Sequence, residues 1–312
     1  MPLSALLDDV RHRFAPSHRE GLTNHMPMAA IALDRIGATE ERVRAFIEHH
    51  ASELEPARPW PRADEMAADL RARGVDFVLR EHLRRDLRGL AGGAFHGAIR
   101  LAYATMAKDI GEMAAGLAYL HESALVLESG AERERRAAFT GTTELAVLVE
   151  RLRVAGIEKP TGPNITVRLE QVVADARFSA VIDDLAVDKT TLAQVSGLGA
   201  RWYLAADDFV SLHVLTGAHA VRTLRPWTAD ATIVDRALTI GALAAYVACG
   251  SPARFDARGK PRADDRELKR SAIESNDDHM AKLVVAALDE EAACEDAIYR
   301  IAATRAVRRG NT

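Results

Sequence analysis

Apolar residues recur at intervals of three and four through most of this 312-residue chain, interrupted by short clusters of glycine, proline and capping residues. Residues so spaced share one face of a 3.6-residue helix, and such a face is buried only by packing against another element. Alanine, leucine, arginine and glutamate, all good helix formers, are abundant. The pattern predicts an all-α protein, read as a single large multi-helix domain over residues 1–312 with two helical halves. A hydrophobic content of 48% against 28% charged residues supports a sizeable core rather than disorder.

Punctuation sets the expected elements. Pro27 suits the first turn of a helix that Gly37 ends near residue 36, and Thr39 can cap the next helix, 40–50. Pro56, Pro59 and Pro61 break helix and mark a connector. Helices are then expected over 63–73, closed by Gly74, over 76–87, and as one long stretch over 94–128. The strongest internal linker is 155–163, which carries Gly156, Pro160, Gly162 and Pro163. Beyond it, helices are expected over 169–174, 190–195, 207–224 and 230–249. A charged connector over 257–266 leads to the C-terminal helices and a frayed tail, 305–312.

Charge and cysteine usage exclude several classes. A net charge of −4 gives no pull toward nucleic acid or anionic lipid, and the basic stretch 71–88 reads as a solvated helix face. Cys249 and Cys294 form no knuckle or redox spacing, which fits a reduced, cytoplasmic setting. Asp8 and Asp9 interrupt the N-terminal apolar run too early for a signal peptide. The apolar run 238–249 is short of the ~20 residues a bilayer needs, so no membrane partner is expected.

Chemistry concentrates in the histidines. His25, His96, His213 and His279 lie far apart in sequence, each beside helix punctuation or small residues. Neutral imidazole is the commonest metal ligand, although a lone histidine on an apolar helix is ordinarily a hydrogen-bonded core residue. His96, Arg100 and Tyr103, at i, i+4 and i+7, share a face after Gly92-Gly93. His121 is too far along the same expected helix to join His96. Thr216 is placed to orient His213, and His219, ~120° further around that helix, is held in reserve as a ligand. Trp202, Tyr203 and Trp227 flank this segment and read as packing elements. Near the cluster Ser275-Asn276-Asp277-Asp278, a helix start places His279 and Lys282 in its first turns. The positive end of that helix's dipole and a nearby metal cation would both disfavour the lysine ammonium, making a neutral or carboxylated amine chemically reasonable.

The ordered segments Gly21-Leu22-Thr23-Asn24-His25-Met26-Pro27-Met28, Gly92-Gly93-Ala94-Phe95-His96-Gly97-Ala98-Ile99-Arg100, His213-Val214-Leu215-Thr216-Gly217 and Asp277-Asp278-His279-Met280-Ala281-Lys282 together resemble the questin oxidase-like family. The resemblance spans most of the chain but leaves 129–206 unmatched. It implies an oxidoreductase, an oxygenase that opens anthraquinone-type rings of aromatic polyketides. It further implies non-haem iron held by His25, His96, His213, His279 and a carboxylated Lys282. Arg100 and Tyr103 would then contact the aromatic substrate, with dioxygen as co-substrate and NADPH as a candidate external reductant. Two other readings stay open: a metal-free or NADPH-linked monooxygenase, and a non-catalytic helical carrier of a hydrophobic ligand. A His-Asp phosphohydrolase ranks low, because the chain carries only the reversed Asp278-His279. No Gly-x-Gly-x-x-Gly stretch supports an integral dinucleotide fold.

Overall fold

The computed structural model describes residues 2–18, 22–129, 132, 141–206, 209–252 and 262–309. Among these, sixteen α-helices follow one another: α1 Leu3–Arg13, α2 Met26–Arg35, α3 Glu40–His50, α4 Pro61–Arg73, α5 Val75–Asp86, α6 His96–Ala107, α7 Ile110–Glu122 and α8 Leu145–Val154 come first. The second half holds α9 Ile165–Ala174, α10 Ala176–Ile182, α11 Thr191–Ala206, α12 Phe209–Leu224, α13 Ala231–Ala248, α14 Asp265–Glu274, α15 Met280–Cys294 and α16 Ile298–Arg309. The one ladder among the described residues is a two-residue antiparallel pair, Ser17–His18 with Leu22–Thr23. The fold is all-α.

Local chemistry explains the boundaries. Thr39 accepts from the Arg42 amide at the start of α3, Gly37 (φ 95°) ends α2, and Gly74 (φ 85°) closes α4. The proline-rich connector stays extended and hydrogen-bonds to the N-terminal segment, Ala15 N to Glu55 O at 2.8 Å and Ala57 N to Arg13 O at 3.0 Å.

Three expectations need correction. The long helix expected over 94–128 is a helical hairpin. Lys108 turns left-handed (φ 55°), Asp109 Oδ1 caps α7 by accepting from Glu112 N at 2.8 Å, and the chain folds back. Gly97 and Gly116 allow that reversal: a Cβ at Gly97 would lie 2.6 Å from Leu120 Cα, and one at Gly116 2.8 Å from Leu101 Cα. The helix expected over 190–195 runs on to Ala206, because Gly199 serves close packing against Leu215 (2.7 Å from a built Cβ to its N) rather than a break. The tail expected to fray is helical as far as Arg309, with Ala306 and Val307 buried. Residues 310–312 and the first half of the expected connector 257–266 lie outside the described residues, as do Gly21 of the first motif and the start of the helix expected from 207.

One continuous core runs from Leu6 to Val307 and takes residues from both sides of 155–163, Leu148 and Leu152 before it and Leu169 and Val172 after. At its centre α12 packs against α6, α11, α13 and α15. α13 is long and apolar enough to cross a membrane, yet 72% of it is buried inside the protein, the environment of a core helix. His213, Thr216 and His219 on α12 are therefore each 2% exposed or less, and a buried polar group needs a partner.

Candidate metal centre

Helix starts position three of the four histidines. His25 precedes α2: Asn24 takes the Met26 amide on its Oδ1 at 3.0 Å and donates to Ala15 O at 3.1 Å, fixing the chain that carries the imidazole. His279 precedes α15, and its own amide donates to Asp277 Oδ1 at 2.8 Å. His96 opens α6 after three consecutive left-handed residues, Gly93 (φ 56°), Ala94 (φ 56°) and Phe95 (φ 67°).

Left-handed backbone costs ~1–2 kcal/mol at a residue with a Cβ, so something must hold this turn. Packing does so. Phe95 is fully buried, and a Cβ at Gly217 or Gly241 would come within 3.0 and 3.1 Å of it. The turn aims the Gly93 carbonyl at His96 Nδ1, 2.5 Å away. His213 projects from the second turn of α12, one turn before Gly217.

The four imidazoles meet. His96 Nε2 lies 2.9 Å from His25 Nε2 and 3.0 Å from His213 Nε2. Ring centroids of His25 and His279 are 4.8 Å apart, and those of His213 and His279 are 5.3 Å apart. Donor nitrogens of His25, His96 and His279 all fall within 4.8 Å of one another.

Partners on the far side of each ring decide what these nitrogens present. Gly93 O only accepts, so the proton of neutral His96 sits on Nδ1 and leaves a lone pair on Nε2. The same logic applies to His25, whose Nδ1 is 2.5 Å from Asp278 Oδ2. The other carboxylate oxygen, Asp278 Oδ1, lies 2.5 Å from His279 Nδ1. One carboxylate thus clamps two imidazoles and turns both Nε2 atoms inward. Burial keeps His25 and His96 neutral: desolvation, then the Lys282 charge, lowers the His25 pKa to about 3. Burial, with His213 and His25 adding to it, pushes His96 well below 6.5. Two imidazole lone pairs therefore face each other at 2.9 Å, which is repulsive between the rings alone and which a shared cation stabilises. The donor set fits a transition-metal ion of the kind imidazole favours, such as iron or zinc.

Lys282, on the first turn of α15, is 3% exposed and makes no ion pair among the described residues. Burial lowers its pKa, while Asp278 and Asp277 oppose the shift. Burial also works against the Asp278 charge, but hydrogen bonds from His25 and His279 outweigh it and hold its pKa far below the carboxylate range. Three helix N-termini point their positive ends at this centre, so Asp278 supplies negative charge that a cation there requires.

The remaining expected residues divide differently. Arg100 is buried with every guanidinium nitrogen engaged: Nε and Nη2 on Glu112 Oε2 at 3.2 and 3.1 Å, and Nη1 on Pro16 O at 3.1 Å. Tyr103 is fully buried and donates to Lys282 O at 3.0 Å. Both brace the walls instead of presenting a free group. The reserve ligand His219 faces away, with Nε2 3.0 Å from Asp289 Oδ2. Thr216 donates to Leu212 O within its own helix at 3.0 Å rather than orienting His213. His121 turns to Asp86 Oδ1 at 3.2 Å. Trp202 packs against Tyr246, and Trp227 donates to Asp76 at 2.7 Å. Sequence reasoning missed the role of Asp278, although a carboxylate adjoining His279 was the available signal. It also missed Gly93 O, which no side-chain pattern reveals.

The family model described as Questin oxidase-like matches residues 63–287. The chain belongs to the Questin oxidase-like family. No curated protein and no solved structure matches it. Membership implies oxidoreductase chemistry on an aromatic small molecule. Of the residues that meet at the centre of this Questin oxidase-like protein, His96, His213, Asp278, His279 and Lys282 lie inside the matched span, whereas His25 precedes it.

Proposed function

We propose that this protein is a non-haem iron oxygenase that oxidises an aromatic, polyketide- or anthraquinone-like small molecule with dioxygen, by oxidative ring cleavage. The observation that carries this reading is the inward pair of Nε2 lone pairs on His25 and His96, joined by His213 and His279. Iron bound by these imidazoles would supply the one-electron chemistry that lets dioxygen react with an aromatic ring.

The chain's own groups have definite tasks in this scheme. Asp278 keeps the Nδ1 protons of His25 and His279 in place, so both rings remain lone-pair donors at Nε2. Gly93 O does the same for His96. Lys282, disfavoured as an ammonium by burial, serves as an anionic oxygen donor once carboxylated by carbon dioxide, or as a neutral base otherwise. Tyr103 fixes the backbone of Lys282, and the apolar helices around α12 exclude water. NADPH, if used, is an external reductant.

Metal analysis tests the reading directly. Protein purified without added metal should contain about one iron per chain, located at the four imidazoles by anomalous scattering, and should consume dioxygen with hydroxyanthraquinones. Absence of a stoichiometric transition metal after reconstitution with ferrous iron overturns it.

A further inference from the structure

Beside the histidine cluster is a cavity of about 650 Å³, which falls in the ~300–1,000 Å³ range of small-molecule sites. None of the four imidazoles lines it, yet it abuts their supports. Asn24, the anchor of His25, and Pro27 border it, and so does Arg100, one turn beyond His96 on α6. Its walls suit a flat ring system. Ala63 and Ala67 on α4 and Ala114 and Ala115 on α7 present nothing larger than a methyl group. Trp60 adds an indole whose orientation is set by Nε1 donating to Glu122 at 3.0 Å.

Charge is distributed unevenly along this wall. Arg100 is consumed by Glu112 and Pro16 O. Arg11 is consumed by Asp109 and Glu112 at 2.9 and 3.1 Å, and by Asp8. Two other arginines are less committed. Arg58 is 56% exposed, donates to Ser17 Oγ at 3.0 Å and has Glu55 only at 3.7 Å. Arg71 follows Ala63 and Ala67 on one stripe of α4 and makes no ion pair among the described residues. Of the acidic groups lining the cavity, Asp8 and Asp109 belong to Arg11, leaving Asp64 against two cations.

We propose that this cavity is the recognition site for the aromatic substrate, and that it selects a planar ring system bearing an ionised acidic group. Trp60 and the alanine faces take the rings, and Arg58 and Arg71 take the carboxylate or phenolate. The proposal rests on the oxygenase reading for what happens to the ligand afterwards, but not for binding itself. Arg58 and Trp60 precede the span matched by the family model, so the indole of the ring wall and half of the charge recognition lie ahead of that span, while the alanine faces and Arg71 lie within it.

Calorimetric titration of the full-length protein under anaerobic conditions, with metal content measured on the same sample, separates the two. The probes are a hydroxyanthraquinone carboxylic acid and the same compound lacking the acid. Wild type should bind the acid more tightly by on the order of tenfold, as one charge-assisted contact allows. The double variant Arg58→Gln/Arg71→Gln, at surface positions that folding tolerates, should bind both probes alike. Trp60→Leu should weaken both probes by on the order of tenfold, and Trp60→Phe should restore them. The proposal is overturned if the double variant keeps the preference for the acid, or if Trp60→Leu binds both probes as wild type does. Protein that takes up no stoichiometric iron on reconstitution yet shows the expected binding pattern removes the iron reading and leaves this site standing; iron-loaded protein without that pattern does the reverse.

Discussion

Replacing Asp278 by asparagine is the sharpest single test of the histidine centre. Asp278 accepts from two imidazoles at once, each Nδ1 lying 2.5 Å from a different carboxylate oxygen. Asparagine is nearly isosteric but has one acceptor oxygen and one donor NH₂. It can keep either His25 or His279 in the present tautomer, never both. The ring that meets the NH₂ must accept at Nδ1 and so carries its proton on Nε2, aimed into the centre. One of four inward donors is lost without any change in volume. The substitution also removes the carboxylate charge that offsets three helix N-termini. Loss of such a supporting carboxylate typically weakens metal binding by ~10–100-fold, equivalent to about 1.4–2.8 kcal/mol. We expect Asp278→Asn to show that loss in competition titrations of ferrous or cobaltous ion against a chromophoric chelator. Circular dichroism should report unchanged helicity. Retention of wild-type affinity by a folded Asp278→Asn protein would refute the assignment of tautomers, and with it the inward lone pairs.

Further outcomes follow from the same geometry. Lys282→Ala should abolish oxidation and loosen metal binding, bicarbonate should aid reconstitution of the wild type, and Lys282→Arg should not rescue, because guanidinium stays charged. Normal metal content and turnover in Lys282→Arg would place the residue outside the chemistry. Phe95→Ala should cost about 3–5 kcal/mol in urea unfolding and reduce metal affinity besides, since the buried ring between Gly217 and Gly241 holds the turn that aims Gly93 O at His96. Unchanged affinity would detach that turn from the site. Metal-free protein should lose stability as pH falls from 6.5 toward 3. His25 is held neutral in the fold, with its pKa lowered to about 3, while the unfolded chain takes up the proton. The slope should approach ~1.4 kcal/mol per pH unit for each such histidine, and chemical denaturation at stepped pH would reveal a flat profile if the rings were already charged.

Helix class and most boundaries were legible in the sequence because they are local. Thr39, Gly37, Gly74 and Pro61 act within one turn of where they stand, so α2 to α5 lie within two residues of their expected limits. Errors arose where a local signal had a tertiary use. Gly97 and Gly116 are the contact that folds α6 onto α7, and Gly199 packs against Leu215, uses that no local signal announces. The four histidines and their meeting at one centre were expected only through a resemblance, since His25 and His279 stand 254 positions apart and the packing of α2, α6, α12 and α15, which no local signal encodes, brings them together. Tertiary structure alone also decided the roles around them. It gave Asp278 two imidazoles to hold and turned His219 to Asp289. It engaged Arg100 with Glu112 and set Trp60 in the wall of a cavity beside the centre. A helix period specifies which residues share a face, but which face meets which is set by packing the whole core. A proton's place on an imidazole depends on whichever acceptor that packing delivers.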